Sequence, residues 1–188
     1  MMSFLSSLMR RFRRDEKGSL LVDAIIVMPM FVWGYAGMFV YWDAYRAINT
    51  VQKASYSVSD LVSRNQSASG INDAYITGMR TAFNRMLGGG NAGEIRLTSY
   101  TWSGVRNQYE VIFSRSPGNT MPVLTTASLA NLTDYLPIMA DGDSAILLET
   151  RLLYVPPLAY ALEPNMLEQF VVTRPRFLPK LCHVNFTC

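Results

Sequence analysis

The sequence predicts an α+β chain: a long N-terminal helix packed on an antiparallel sheet of about four strands. Three observations carry this. An apolar run from Ser19 to Tyr41 continues without a break into apolar residues at helical spacing as far as Val62. From Glu94 onward the apolar period drops to two, the spacing of half-buried strands. Glycine, proline and asparagine clusters then cut the second half into short pieces. The length, 188 residues, suits one modest domain plus an anchor.

The first element is the anchor. Ser19 to Tyr41 reads SLLVDAIIVMPMFVWGYAGMFVY, about 23 residues against the roughly 20 that a membrane-spanning helix needs. Its one charged side chain is Asp23. A buried core helix keeps a polar face, and this stretch has none. Tyr41, Trp42 and Tyr45 suit an aromatic belt at the far interface. Arg10, Arg11, Arg13, Arg14 and Lys17 precede the run, whereas only Arg46 and Lys53 follow it closely. The positive-inside bias therefore keeps residues 1–18 in the cytoplasm, spans the membrane with 19–42 and exports 43–188. A cleavable secretory signal would have a shorter apolar region and small residues at its end; this run ends in WDAYRAI.

The helix continues past the membrane. Ala44, Ile48, Val51, Ala54/Ser55, Val58 and Leu61/Val62 recur three and four apart, so one helix is expected from about Ser19 to Arg64. Asn65 to Gly70 ends it. Asn72 is a suitable N-cap for a second helix, whose stripe is Tyr75, Ile76, Met79, Phe83, Met86 and Leu87, and Gly88-Gly-Gly90 stops it. No Gly-Lys-Ser/Thr follows that triple glycine, so it is a loop and not a phosphate cradle.

Glu94 to Trp102 and Gln108 to Ser114 alternate and read as a β-hairpin, with Tyr109, Val111 and Phe113 on one face. Ser128 to Leu136 is expected as a short helix ended by Pro137. Asp141-Gly-Asp143 is a turn. Ser144 to Val155 is the longest apolar strand, ended by Pro156-Pro157, and Met166 to Thr173 is the fourth strand, bordered by Glu163 and Glu168.

Composition excludes several kinds of chemistry. Charged residues make up 16%, below the roughly 25% usual for soluble domains. The net charge of +3 is accounted for by the leader, so no basic patch on the folded part suggests nucleic acid. Two cysteines and one histidine cannot supply a four-ligand Cys/His metal site. No G-x-S-x-G surrounds a serine, and His183 reads as a loop residue of the tail. Asp141 and Asp143 lack the ligand spacing of a calcium loop. An enzyme, a cofactor and a small-molecule substrate are therefore not expected. Cys182 and Cys188 suit a disulfide in the oxidising compartment that the topology implies.

Asp23 is the least expected residue. A carboxylate at the centre of a membrane helix costs about 2.5–3.5 kcal/mol, less about one turn into the run. A partner arises if the chain is cut after Gly18. Ser19 then carries an α-amino cation, and Asp23 becomes the fifth residue. In low dielectric a neighbouring subunit's amine would neutralise it, turning an isolated penalty into a device for register; the alternative reading is that Asp23 simply reaches the cytoplasmic interface. Pro29 is tolerated in such a helix where neighbours satisfy the freed carbonyl. Gly34 and Gly37 permit close approach but are not spaced four apart.

The basic leader ending RRDEKG, then a small residue, then an acid at the fifth position of an apolar helix, resembles a class III (type IV) prepilin signal. In that family a prepilin peptidase cuts after the glycine, and the fifth residue is normally Glu where this chain has Asp23. The stretch RRFRRDEKGSLLVDAIIVMPMF is similar to the TadE/TadF/TadG-like group of tight-adherence pilus systems, as is the segment VVTRPRF near the C-terminus, less specifically. The resemblance is best over residues 11–65. It implies a pilin-like fold and a non-enzymatic minor pilin or pseudopilin in the bacterial inner membrane. The partners it implies are other pilins, the assembly platform and prepilin peptidase, with the folded domain in the periplasm. The alternative expectation is an uncleaved, single-pass anchor that presents a periplasmic binding module.

Overall fold

The structure, a computed structural model, describes residues 18–89, 93–158 and 161–188. Helix α1 (Gly18–Ser63) runs unbroken through Pro29 for 46 residues, about 69 Å at 1.5 Å per residue. Helix α2 (Asp73–Met86) begins where Asn72 caps it, the Asn72 side chain accepting from the Tyr75 N–H. Four strands follow, β1 (Glu94–Ser103), β2 (Gln108–Arg115), β3 (Ser144–Tyr154) and β4 (Asn165–Thr173). They form one sheet in the order β2-β1-β3-β4, with every neighbouring pair antiparallel. The α+β plan with its long leading helix is the one the sequence predicts.

The upper half of α1 packs on one face of the sheet. Val51, Ala54, Val58 and Val62 are buried there with Ile76 and Phe83 of α2, against Ile95, Leu97, Phe113, Ile146, Leu148 and Leu152. A polar contact ties the helix to the sheet inside this core. The Ser55 hydroxyl donates to the Val51 carbonyl and so accepts from Thr150 Oγ1, 2.8 Å away.

The opposite face carries Tyr100, Tyr109, Ala145 and Leu147, covered by Leu129, Leu136 and Met139 of the β2–β3 connection. Arg96 also lies on that side. It pairs with Glu149 and donates to the Pro122 carbonyl, so that a buried guanidinium keeps its partners. The sheet is thus sandwiched, with helices on one side and an irregular cover on the other.

Two local expectations are corrected. Tyr109, Val111 and Phe113 do not share a face. Ser99 pairs with Phe113 and Tyr100 with Val111, which leaves Ile112 as the extra residue of a bulge. One extra residue reverses the alternation, so Phe113 joins the helix-side core while Tyr109 and Val111 join the other. The expected helix from Ser128 to Leu136 is two pieces, α3 (Thr126–Ala130) and a 3-10 turn (Thr133–Tyr135). Thr125 and Ser128 cap one another reciprocally, which starts the helix earlier. Leu136, ahead of Pro137, is held extended (φ −92°, ψ 143°).

Phe83 is fully buried at the junction of α1, α2 and the sheet. Phe83→Ala is expected to cost about 3–5 kcal/mol, measured by urea unfolding of the full chain in detergent micelles followed by circular dichroism.

Candidate functional site: the exposed half of the long helix

The two halves of α1 differ in what they touch. In the most apolar 18-residue window, mean hydropathy 1.7, only 6% of the residues are buried. Ile25, Ile26, Val27 and Met28 are consecutive and all exposed, so no side of the helix is turned to the domain there. Val40 is the first buried apolar residue, and from Val51 a regular buried stripe begins. Among the described residues there is thus one helix long and apolar enough to cross a membrane, and the described fold leaves that half uncovered.

Gly18 and Ser19 are the first residues of α1. Asp23 is exposed, one turn into the helix, and has no hydrogen-bond or ion-pair partner among the described residues. Arg10, Arg11, Arg13, Arg14 and Lys17 lie outside the described residues, as does Gly90 of the triple glycine. At Gly34 an added Cβ would meet nothing within 4 Å, so packing within this chain does not demand the glycine.

Around Tyr41–Ile48 the sheet meets the helix in a collar. The Tyr154 hydroxyl, at the end of β3, donates to Asp43 Oδ2 at 2.9 Å. Burial first, and then the hydrogen bond and negative charge of Asp43, push the Tyr154 hydroxyl up to about 12. Leu162 of the β3–β4 loop lies with Tyr41, Ala44, Tyr45 and Ile48. The Arg46 guanidinium sits 5.7 Å from the Trp42 ring, a cation–π contact at the same level.

At the other end of α1 the C-terminal tail is clamped. Cys182 and Cys188 form a disulfide with their Cα atoms 5.6 Å apart. The Ile71 N–H donates to the Cys182 carbonyl at 2.9 Å, and the Val184 N–H donates to the Ile71 carbonyl at 3.0 Å. Gly70 (φ +89°) lets the tail pass so closely, since a Cβ there would lie 2.8 Å from the Cys182 carbonyl oxygen. His183 lies in the tail outside the helices and strands, as expected, and is buried, 1% exposed between Phe113 and Phe186. Its Nδ1 accepts from the Asn185 N–H, which assigns the proton to Nε2, 3.2 Å from Asp73 Oδ1.

Three other acidic residues singled out by the sequence have structural partners. Asp141 accepts from the Gly104 N–H at 2.6 Å and Asp143 pairs with Arg174. Glu168 lies inside β4, paired with Arg151, and does not border the strand. Among the described residues no group of three or more His, Cys, Asp or Glu side chains is placed to hold a metal.

Sequence reasoning singles out Asp23 and pairs Cys182 with Cys188, and the two cysteines are bonded. It missed the Asp43–Tyr154 contact, whose partners are far apart in the chain. The available signal was Asp43 itself, an acid directly after Trp42.

Cys188→Ser opens the tail ring and is expected to cost about 2 kcal/mol, the loop entropy of so short a closure. Urea unfolding and faster amide exchange at Val184 report it. Tyr154→Phe is expected to cost about 1.5–3 kcal/mol through the lost bond to a carboxylate. The Tyr154 pKa is raised from 10.0 in the folded chain, so the stabilisation is complete below pH 10 and is lost as pH rises through about 12. The stability gap between wild type and Tyr154→Phe should therefore be constant up to pH 10 and narrow above it.

No protein-family model, curated protein or solved structure matches this chain.

Proposed function

We propose that the chain is a non-enzymatic minor pilin or pseudopilin of a bacterial tight-adherence pilus assembly machine. In this reading it is anchored in the inner membrane by residues 19–42 and carries its sheet domain in the periplasm. The observation that carries the reading is the uncovered apolar half of α1, continuous with a half that is packed into a folded domain. An apolar rod exposed on all sides needs lipid or other apolar helices around it. The leader, Gly18, Ser19 and Asp23 supply the resemblance to prepilins. The Cys182–Cys188 disulfide suits an oxidising compartment.

The work of such a subunit is association. Prepilin peptidase cuts between Gly18 and Ser19 at the cytoplasmic face. The new α-amino group of one subunit then meets Asp23 of another in low dielectric, where an unpaired charge is costly and a paired one sets register. That Asp23 has no partner among the described residues is what this reading requires.

Sequencing the N-terminus of the mature protein tests processing. Ser19 is the expected first residue, and a retained Met1 with normal piliation overturns it. Asp23→Asn, which keeps the shape and removes the charge, is expected to abolish assembly at unchanged protein level. Normal assembly by that variant would instead favour an uncleaved anchor carrying a binding module.

A further inference from the structure

The β3–β4 loop leaves the sheet toward the exposed half of α1. Tyr154, the last residue of β3, is level with Asp43 through its hydrogen bond. Further along the loop, Ala161 lies in a groove of about 430 Å³ with Trp33, Gly34, Gly37, Met38 and Tyr41. Gly37 and Gly34 precede Trp42 by five and eight residues, which is about 7 and 12 Å along a helix. At Ala161 the described part of the loop therefore lies past the aromatic collar, alongside the part of α1 that is apolar all round.

Its composition fits that position. Residues Val155 to Leu162 carry no charge, and the first charge after Arg151 is Glu163. Val155 and Leu158 are 61% and 41% exposed, turned away from the protein's own core. Pro156 and Pro157 lack backbone N–H groups. The two thus present no donors that would need water in an apolar surrounding.

We propose that the β3–β4 loop is a second membrane contact, which enters the outer face of the phospholipid bilayer beside α1. This rests on the membrane reading given above and goes beyond it. The shallower of these levels falls within the depth of interfacial elements, which bury their apolar side about 5–10 Å into the headgroup and acyl boundary. The consequence is orientation. A lone helix leaves a domain free to tilt and rotate, whereas two contacts joined by the Asp43–Tyr154 bond hold the β3–β4 end of the sheet against the membrane. The disulfide tail then faces outward, near Ser63, about 30 Å farther along α1.

The test uses the full chain, with its native disulfide intact, in vesicles of phosphatidylethanolamine and phosphatidylglycerol. Leu158→Cys, Met30→Cys and Val105→Cys are each labelled with a nitroxide. Accessibility to oxygen, which partitions into lipid, is compared with accessibility to a water-soluble nickel complex. Met30 lies in the exposed apolar half of α1, and Val105 is 93% exposed in the β1–β2 turn at the opposite end of the sheet. The expected result is oxygen-dominated accessibility at Met30 and Leu158 and nickel-dominated accessibility at Val105. A nickel-dominated Leu158 beside an oxygen-dominated Met30 overturns the loop contact and leaves the span standing. A Leu158 closed to both reagents means that protein covers the loop, which also overturns it. A nickel-dominated Met30 overturns the membrane reading itself, and the loop contact with it.

Discussion

One continuous helix answers to two surroundings, and the rest of the molecule follows from that constraint. The lower half of α1 exposes apolar side chains in every direction, while the upper half presents a single buried stripe beginning at Val51. A sheet domain can cover a stripe but cannot encircle a helix. The domain therefore grips the upper half, and the lower half is left for whatever apolar medium receives it. The rod between them has no hinge, because the helix runs unbroken from Gly18 to Ser63.

The domain is fastened to that rod at three heights. Tyr154 holds Asp43 beside the aromatic collar, Thr150 holds Ser55 within the core, and Arg176 holds Asp60 and the Ser63 carbonyl at the far end. The exposed pair contributes little. The contacts at Ser55 and Asp43 are shielded and directional, and they fix how far up the helix the sheet sits. Any tilt of the rod in a membrane or a bundle is thus transmitted to the sheet and to the tail beyond it. In the proposed reading this coupling lets register set at Asp23 position a domain several turns away.

Much of this was legible in the sequence because the signals are local. The length and polarity of Ser19–Tyr41, the 3.6-residue spacing up to Val62, the Asn72 cap, the alternation in β1 and the short apolar runs of β3 and β4 each need only a short window. The single rod, the second helix and the four antiparallel strands appear where those windows place them. Failures occurred where local period competes with a long-range demand. A bulge at Ile112 serves a sheet buried on both faces, and the Thr125–Ser128 cap serves a connection that must cover Tyr100 and Leu147.

What the sequence determined by itself is the list of elements and the division of α1 into an all-apolar half and a striped half, since both are properties of consecutive side chains. Only the tertiary structure decided which residues from distant strands stand beside that helix. The Asp43–Tyr154 contact, the burial of His183 against Asp73 and the place of Ala161 of the β3–β4 loop past Trp42 depend on strand order and register. Those are set by the collective packing of the two cores, because no short segment encodes the distance between two residues that meet only when the sheet has formed.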